Sequence, residues 1–503
     1  MTKVRTRFAP SPTGFAHIGN LRTALFAYLT AKHFGGDFIL RLEDTDKNRE
    51  VDGADEYILS AVKTLGFIYD EGPDIGGKFA PYRQSERLDH YKKWALVLVD
   101  KGRAFADPYT PEQIQKFRDE AAANKKAFRY RDFRPTNPPA WDGTMPLRFK
   151  SEPRDYAWRD EVMGDLSAGA DAIDDFVLIK SDGFPTYNFA HIIDDLEMEI
   201  THIIRGQEFI SSTPNYLNLY EALEIEHPIF ATMPHILNET GNKKLGKRDG
   251  AKDAMEYLRD GILVEALDNF IASCGWNDGT EQEIFSMDEL IEKFTLDRVG
   301  RSGARFDPNR LVWMNGQWIK RLSVGELFER TNCVSDANRS GLPTSCSVSE
   351  ARQNGEEERS FWGENGANTT DNKKKQVLAV VQDRLKTLAD LPALTEYFFA
   401  RPEPNWAMVD DNKQLKKLTR GEQVELLCAA VEKLEHTEWD FDKLQMSLNE
   451  LLEITESKPP ILFGIIRFAL TWAPFSPGLP ETMVTLGKDE TLARISTAVE
   501  SAK

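Results

Sequence analysis

The sequence predicts an α/β protein with a parallel sheet toward its N-terminus and an all-helical C-terminal third, on three observations. Residues 4–44 read as strand, glycine-containing loop, helix and strand. From Lys375 onward apolar residues recur at helical spacing with no strand-like alternation. The length, 503 residues, exceeds the usual domain of about 100–200 residues several times over, so three or more domains are expected.

In the first unit Val4, Thr6 and Phe8 alternate with Arg5 and Arg7, the period of a half-buried strand, and the Pro and Gly cluster of APSPTG ends it. Leu21, Ala24, Leu25, Tyr28 and Leu29 then repeat at helical spacing, with Asn20 placed to cap the helix and Gly35-Gly36 to stop it. DFILRLEDTD follows as an apolar strand that finishes in carboxylates. In such a unit the helix start offers free N–H groups and a positive dipole end to a phosphate. The prolines and glycines therefore shape a nucleotide-binding loop, in which His17 can donate to phosphate oxygens and Gly19 admits a nucleotide close to the backbone. HIGN alone is a weak signal that an ordinary turn also satisfies. The stretch KKLGKR at 243–248 sets four Lys or Arg residues around Leu245 and Gly246, a cationic loop suited to pyrophosphate as charge builds in adenylyl transfer. The two motifs together are far more specific than either.

Composition removes several alternatives. No uncharged run approaches the roughly 20 apolar residues of a membrane span, and the longest candidate, ILFGIIRFALTWAPF, carries Arg467. Cys274, Cys333, Cys346 and Cys428 show no CxxC pairing with histidines, which argues against a disulfide framework and a clustered zinc site and for a reducing, cytoplasmic location. Strand-like residues begin by Val4, leaving no room for a targeting peptide ahead of the fold. A formal charge of −18 counts against a nucleic-acid partner. Locally the balance reverses: residues 125–150 hold seven basic residues against Asp132 and Asp142, interleaved with Phe128, Tyr130, Phe133, Trp141 and Phe149. Basic plus aromatic suits single-stranded nucleic acid, and a solvated loop over core aromatics is the competing reading. Farther along, Val424, Leu427, Val431 and Leu434, then Phe441, Leu444, Leu448 and Leu451, mark two amphipathic helices. Residues 335–374 are rich in Ser, Asn, Gly and charge and read as a mobile loop or insertion.

Six stretches, FAPSPTGFAHIGN, RLEDTD, SDGFPTYNFAHIIDD, IIRGQEFISSTP, MPHILNETGNKKLGKRDGA and FDPNRLVWMNGQWI, occur in the order and spacing of bacterial-type glutamyl-tRNA synthetases. They cover the first two thirds of the chain closely, and RLKTLADLPALTEYFF with the terminal GIIRFALTWAPF resembles that family's anticodon-binding end. The resemblance implies a class I synthetase that joins L-glutamate to ATP as glutamyl-adenylate and passes the glutamyl group to tRNA(Glu). It also implies a Rossmann-like catalytic domain over 1–100 and 190–250, interrupted by an acceptor-binding domain over 101–189. A helical stem-contact domain over 251–325 would follow, with Arg298, Arg301, Arg305 and Arg310 spaced for phosphates, and an all-α anticodon-binding domain over 326–503.

Glutamate carries two carboxylates and one ammonium, so a selective pocket needs guanidinium groups and a carboxylate. By the resemblance, Arg7 grips the side-chain carboxylate, Arg205 and Tyr187 complete that pocket, Glu43 and Ser11 meet the amine, and Ala9 lines the same site. For ATP it assigns His17 and Gly19 to the phosphate loop, Glu208 to the ribose and the backbone at Leu237 to the adenine. Lys244, Lys247 and Arg248 would serve the phosphates. Mg²⁺ is expected with ATP, a structural zinc is not because GRAFADPYT lacks the relevant cysteines, and a monomer without membrane contact is expected. The chain departs from the family pattern at Asn20, Gly246, Gln207 and Phe209, the last two altering the pocket wall. A non-discriminating enzyme that also charges tRNA(Gln) is the alternative. A shorter paralogue would lack the C-terminal third, a small nucleotidylyltransferase would leave about 300 residues unexplained, and a non-catalytic tRNA-binding scaffold would be favoured had Arg7, His17 or Lys247 been lost.

Overall fold

The computed structural model describes residues 3–13, 18–47, 49–246, 252–332 and 361–502. They fall into two units, one running to Tyr257 with Leu267–Pro308, the other built from Leu258–Ala266 and the chain from Asn309 onward.

In the first unit β1 (Arg5–Phe8) pairs in parallel with β2 (Asp37–Leu40), Arg5 opposite Asp37 and Phe8 opposite Leu40, and α1 (Ile18–His33) connects them. The strand–loop–helix–strand reading is correct, but β1 is not half-buried. All four of its residues are buried, because its arginines meet acids: Arg5 Nη1 lies 2.7 Å from Asp37 and Nη2 3.0 Å from Glu71, while Arg7 pairs with Asp195 at 3.0 Å. Asn20 is the third residue of α1 and so cannot cap it. Gly35, at φ +62°, ends the helix, and the Gly36 N–H donates to Ala31 O.

Helices α2 (Ala54–Thr64) and α3 (Leu88–Asp100) lead to β3 (Ala104–Ala106), α4 (Pro111–Ala123) and β4 (Leu147–Phe149). A hairpin follows, β5 (Tyr156–Asp160) against β6 (Gly164–Ala168), then β7 (Val177–Ile179), α5 (Tyr187–Glu197), β8 (His202–Gly206), α6 (Thr213–Leu223) and β9 (Ile229–Met233). β3, β4 and β7 form one antiparallel sheet, and a second has the order β6-β5-β9-β8. The second sheet crosses the expected edge of the acceptor-binding segment: Asp160 on β5 pairs with Phe230 on β9, and its carboxylate accepts from the Thr232 N–H and hydroxyl at 3.0 and 2.6 Å. The Thr201 N–H donates to Arg5 O at 2.9 Å, which sets β8 beside β1. A single core takes in Ile39, Leu98, Phe149, Trp158, Ile193 and Phe230. β10 (Ile236–Leu237) pairs in parallel with β11 (Ala304–Arg305), so residues 251–325, expected to be helical throughout, contain a short strand beside α7 (Ala254–Arg259), α8 (Val264–Ser273) and α9 (Met287–Lys293).

The second unit has no strand among its described residues, as the period predicts. Helices Arg420–Glu435, Phe441–Ile454 and Pro459–Thr471 pack Leu427, Leu434, Leu448, Leu451 and Ile465 into one core. Val424 and Val431 are only half-buried and Phe441 is exposed, because Leu426 and Ala430 turn the apolar stripe by part of a turn. Thr419 caps the first of these helices, in a reciprocal box with Glu422. ILFGIIRFALT forms the third, and among the described residues no helix is long and apolar enough to cross a membrane. Of the segment read as a loop or insertion, 335–360 lies outside the described residues. Its remainder is ordered, since Trp362 is fully buried and donates to Thr331 Oγ1 at 3.1 Å.

Candidate active site

Backbone hydrogen bonds continue past the ends of β1 and β2. The Arg41 N–H donates to Phe8 O, the Glu43 N–H to Pro10 O and the Val51 N–H to Pro12 O, at 2.9–3.0 Å. The loop bearing Ala9 and Ser11 therefore runs along RLEDTD, beyond the carboxyl ends of parallel strands, where open α/β sheets bind ligands.

Helix α5 supplies the opposite wall. Tyr187 and His191, one turn apart, stack with ring centroids 4.8 Å apart. His191 Nδ1 lies 2.7 Å from Tyr187 O, and a carbonyl only accepts, so Nδ1 carries the proton. Burial keeps this imidazole neutral, with its pKa lowered to about 3. One turn on, Asp195 takes both Nε and Nη2 of Arg7, at 3.0 and 3.3 Å, while Arg7 Nη1 reaches Ile204 O at 3.4 Å. Burial alone would raise the Asp195 pKa, but Arg7 and then Arg41 hold it at about 2. Arg41, fully buried, donates to Asp195 at 2.8 Å and to Glu43 at 3.0 Å. Burial lifts Glu43 to about 7 against the pull of Arg41 and Arg7. It also raises the Tyr187 hydroxyl well above its ordinary value, helped by the nearby Glu43 charge. Asp194, the neighbouring acid, accepts from Arg87 and Gln84 at 2.8 Å and from Tyr91 at 2.9 Å, and its carboxylate also lies 3.7 Å from Arg41 Nε.

Arg205, at the end of β8, is different. Its guanidinium lies 5.1–5.5 Å from the rings of Phe209, Tyr216 and Phe230, and Nη2 donates to Thr213 Oγ1 at 2.9 Å. Its Nε and Nη1 are buried and have no hydrogen-bond partner among the described residues. A buried charged donor without an acceptor is costly. An anion entering this pocket would complete it. Phe209, one of the two departures in the wall, stacks on Tyr187 at 5.4 Å, and Gln207 Oε1 accepts from the His235 N–H at 3.2 Å.

A second group of predicted residues gathers nearby. Glu208 lies half-exposed after β8, with Lys244 Nζ at 3.5 Å and His235 Nδ1 at 3.8 Å. β10 carries Leu237 and bonds back on the basic stretch, the Leu245 N–H donating to Ile236 O and the Asn238 N–H to Lys243 O. Gly19 is the second residue of α1. From the same helix Arg22 donates to Pro234 O and to Cys274 O, tying α1 to the start of β10. His17, Lys247 and Arg248 lie outside the described residues. Among the described residues no group of three His, Cys, Asp or Glu side chains could hold a metal ion.

The basic and aromatic segment is largely taken up by its own fold. Arg129 pairs with Asp171 at 3.1 Å, Arg134 with Asp175 at 2.6 Å and Arg148 with Asp107 at 2.8 Å, while Arg131 donates to the carbonyls of Ala170 and Ile173. Phe128 and Phe133 stack on each other and Tyr130 is buried. Lys125, Lys126 and Lys150 remain exposed, as do Arg298, Arg301, Arg305 and Arg310.

The structure thus brings Arg7, Glu43, Tyr187 and Arg205 together, with Ala9 and Ser11 alongside, and Glu208, Leu237 and Lys244 into a neighbouring group. Sequence reasoning gave no role to Arg41, His191, Asp194 or Asp195. Their signal was present in HIIDD, where two adjacent acids in an apolar helical stretch call for buried bases.

Comparison with known proteins finds matches along the whole chain. The family described as tRNA synthetases class I (E and Q), catalytic domain, matches residues 3–313, and the anticodon binding domain family matches residues 355–499. A glutamate–tRNA ligase of Clostridium botulinum is 38% identical over 511 residues, covering 100% of this chain and 99% of the relative, and that of Clostridium kluyveri is 36% identical over 512, with the same coverage. The crystal structure of a glutamate tRNA ligase from Elizabethkingia meningosepticum, in complex with its amino acid, superposes with a TM-score of 0.85 at 34% identity, covering 100% of both chains. That of the Elizabethkingia anophelis glutamate-tRNA synthetase gives 0.82 at 33%, covering 99% of this chain and 100% of the other.

Proposed function

Because the chain belongs to the class I tRNA synthetases of the glutamate and glutamine type, we infer that it is a ligase charging tRNA(Glu) with L-glutamate at the expense of ATP. The alternative that it also charges tRNA(Gln) draws no support from its relatives. The single observation that carries the site assignment is Arg205, a buried guanidinium with two unpartnered nitrogens in an aromatic cage. It suits the side-chain carboxylate of glutamate, which Arg7, already paired with Asp195, flanks with its remaining N–H groups. The Glu43 carboxylate would receive the ammonium, with Ser11 and Ala9 on the loop to which the Glu43 N–H bonds through Pro10 O.

Chemistry then needs no protein nucleophile. The glutamate α-carboxylate attacks the α-phosphorus of ATP, a new O–P bond forms and pyrophosphate leaves; a hydroxyl of the terminal adenosine of tRNA next attacks the activated carbonyl and AMP leaves. The protein's share is positioning and charge stabilisation. Glu208 and the Leu237 backbone would hold the nucleoside, and Gly19 with His17, Lys244, Lys247 and Arg248 would hold the phosphates. Mg²⁺ would arrive bound to the ATP phosphates and neutralise part of their charge.

Glutamate-dependent ATP–pyrophosphate exchange, measured with and without tRNA(Glu), tests this reading. Exchange with glutamate and none with glutamine is expected; exchange driven by a different amino acid would overturn it. Contact with tRNA is best tested away from the paired arginines. Replacing the exposed Lys125 and Lys126 by alanine should flatten the plot of log affinity against log salt by about 0.7–0.9 for each phosphate no longer neutralised. Arg131→Ala should instead loosen the 170–173 turn that it bonds. An unchanged salt slope in the double lysine variant would remove this segment from the tRNA interface.

A further inference from the structure

Four buried charges form an unbroken hydrogen-bonded row across the pocket: Arg7 to Asp195 at 3.0 Å, Asp195 to Arg41 at 2.8 Å, and Arg41 to Glu43 at 3.0 Å. Its ends, Arg7 and Glu43, are the groups that the pocket reading assigns to the side-chain carboxylate and the ammonium of the amino acid. Arg41 is the middle link. It is fully buried, and its one planar guanidinium serves two carboxylates from different elements, which a lysine ammonium cannot do with the same fixed fork. Buried ion pairs are often replaceable by apolar side chains without loss of stability, so stability alone is a weak account of this one.

We propose that Arg41 is a positioning residue for the amino-acid substrate, fixing the Glu43 carboxylate at the amine end of the pocket to the Asp195–Arg7 pair at the carboxylate end. The proposal rests on the pocket reading given above. It has an electrostatic consequence. Among the described residues, the charged and titratable groups around Glu43 are Arg41 on its own segment, Arg7 on β1, Asp195 and Tyr187 on α5, and Tyr216 on α6. Burial holds both tyrosines neutral. Burial likewise drives Glu43 up to about 7, Arg41 and Arg7 draw it down, and Asp195 pushes it up. Only the ionised carboxylate receives an ammonium group, so glutamate use should strengthen as pH rises through about 7. The two neighbours of Glu43 in the row should move that inflection in opposite directions.

The experiment is the pH profile of kcat/KM for glutamate in ATP–pyrophosphate exchange, on the full chain with tRNA(Glu), beside KM for ATP and a thermal melt. Arg41→Gln should shift the inflection upward by about one unit or more and lower kcat/KM at neutral pH about tenfold, with KM for ATP unchanged. Arg41→Lys, which restores the charge without the fork, should bring the inflection part of the way back. Asp195→Asn should shift it downward, and this variant decides the matter if Arg41→Gln does not fold. A structural role alone would depress activity at every pH and leave the inflection in place, which would overturn the proposal. Glu43→Gln separates the two readings: if it abolishes the inflection while the Arg41 and Asp195 variants keep it, the pocket stands and the role of Arg41 falls. If it leaves the inflection intact, the pocket reading itself fails.

Discussion

Arg205→Met is expected to abolish glutamate use while raising the melting temperature of the protein. Two guanidinium nitrogens of Arg205 are buried without an acceptor, and Phe209, Tyr216 and Phe230 surround them. An apolar side chain of similar length keeps the packing and removes an uncompensated charge, so each kcal/mol recovered should raise Tm by about 1–2 °C in a unit of this size. The same change removes up to two charge-assisted contacts to the substrate carboxylate, each worth about 1.5–3 kcal/mol, so kcat/KM for glutamate should fall about 100-fold or more. Added glutamate should raise Tm for the unmodified enzyme and not for the variant. A variant that melts lower and still activates glutamate would show that Arg205 serves the fold.

Arg7→Ala should lose stability and activity together. Arg7 and Arg41 share Asp195 between them, and without Arg7 a fully buried carboxylate keeps one partner, a loss of about 3–5 kcal/mol. The Asp195 pKa is depressed in the folded state, so this stabilisation is present above the ordinary carboxylate value of 3.8 and lost as pH falls toward about 2. The deficit of the variant, followed by chemical denaturation, should therefore close over that acid range. Adding Asp195→Ala to Arg7→Ala should restore part of the stability and none of the glutamate use. A deficit that persists below pH 2 would mean that Arg7 stabilises by packing.

The contrast between these arginines marks where sequence reading stopped. Period and punctuation revealed β1, α1 and β2, the glycine stop at Gly35 and the helical second unit, because each is encoded within a few residues. Burial of Arg5 and Arg7 was missed because alternation reports the period and not what covers the second face. The acid that neutralises Arg7 stands 188 positions away. The segment 125–150 misled for the same reason, since Asp171, Asp175 and Asp107 lie outside the window in which its charge was counted. Trp362 fixes residues 361–374, the described end of a stretch whose composition argued for mobility. The site residues were named through the resemblance of whole motifs; of the row that connects Arg7 to Glu43 only the paired acids of HIIDD left a local sign, and nothing nearby in sequence says which bases they meet.

The pairing of β5 with β9 joins the segment expected to bind the acceptor end to the sheet of the chain that follows it, so the two share one sheet. Deleting the intervening segment, cut where the chain enters and leaves it, would carry away β5 and β6 and leave β9 with an open edge of unpaired N–H and C=O groups, a surface prone to pairing with other chains. Exchange of the segment between such enzymes should succeed only where both parents carry the Asp160–Thr232 seam.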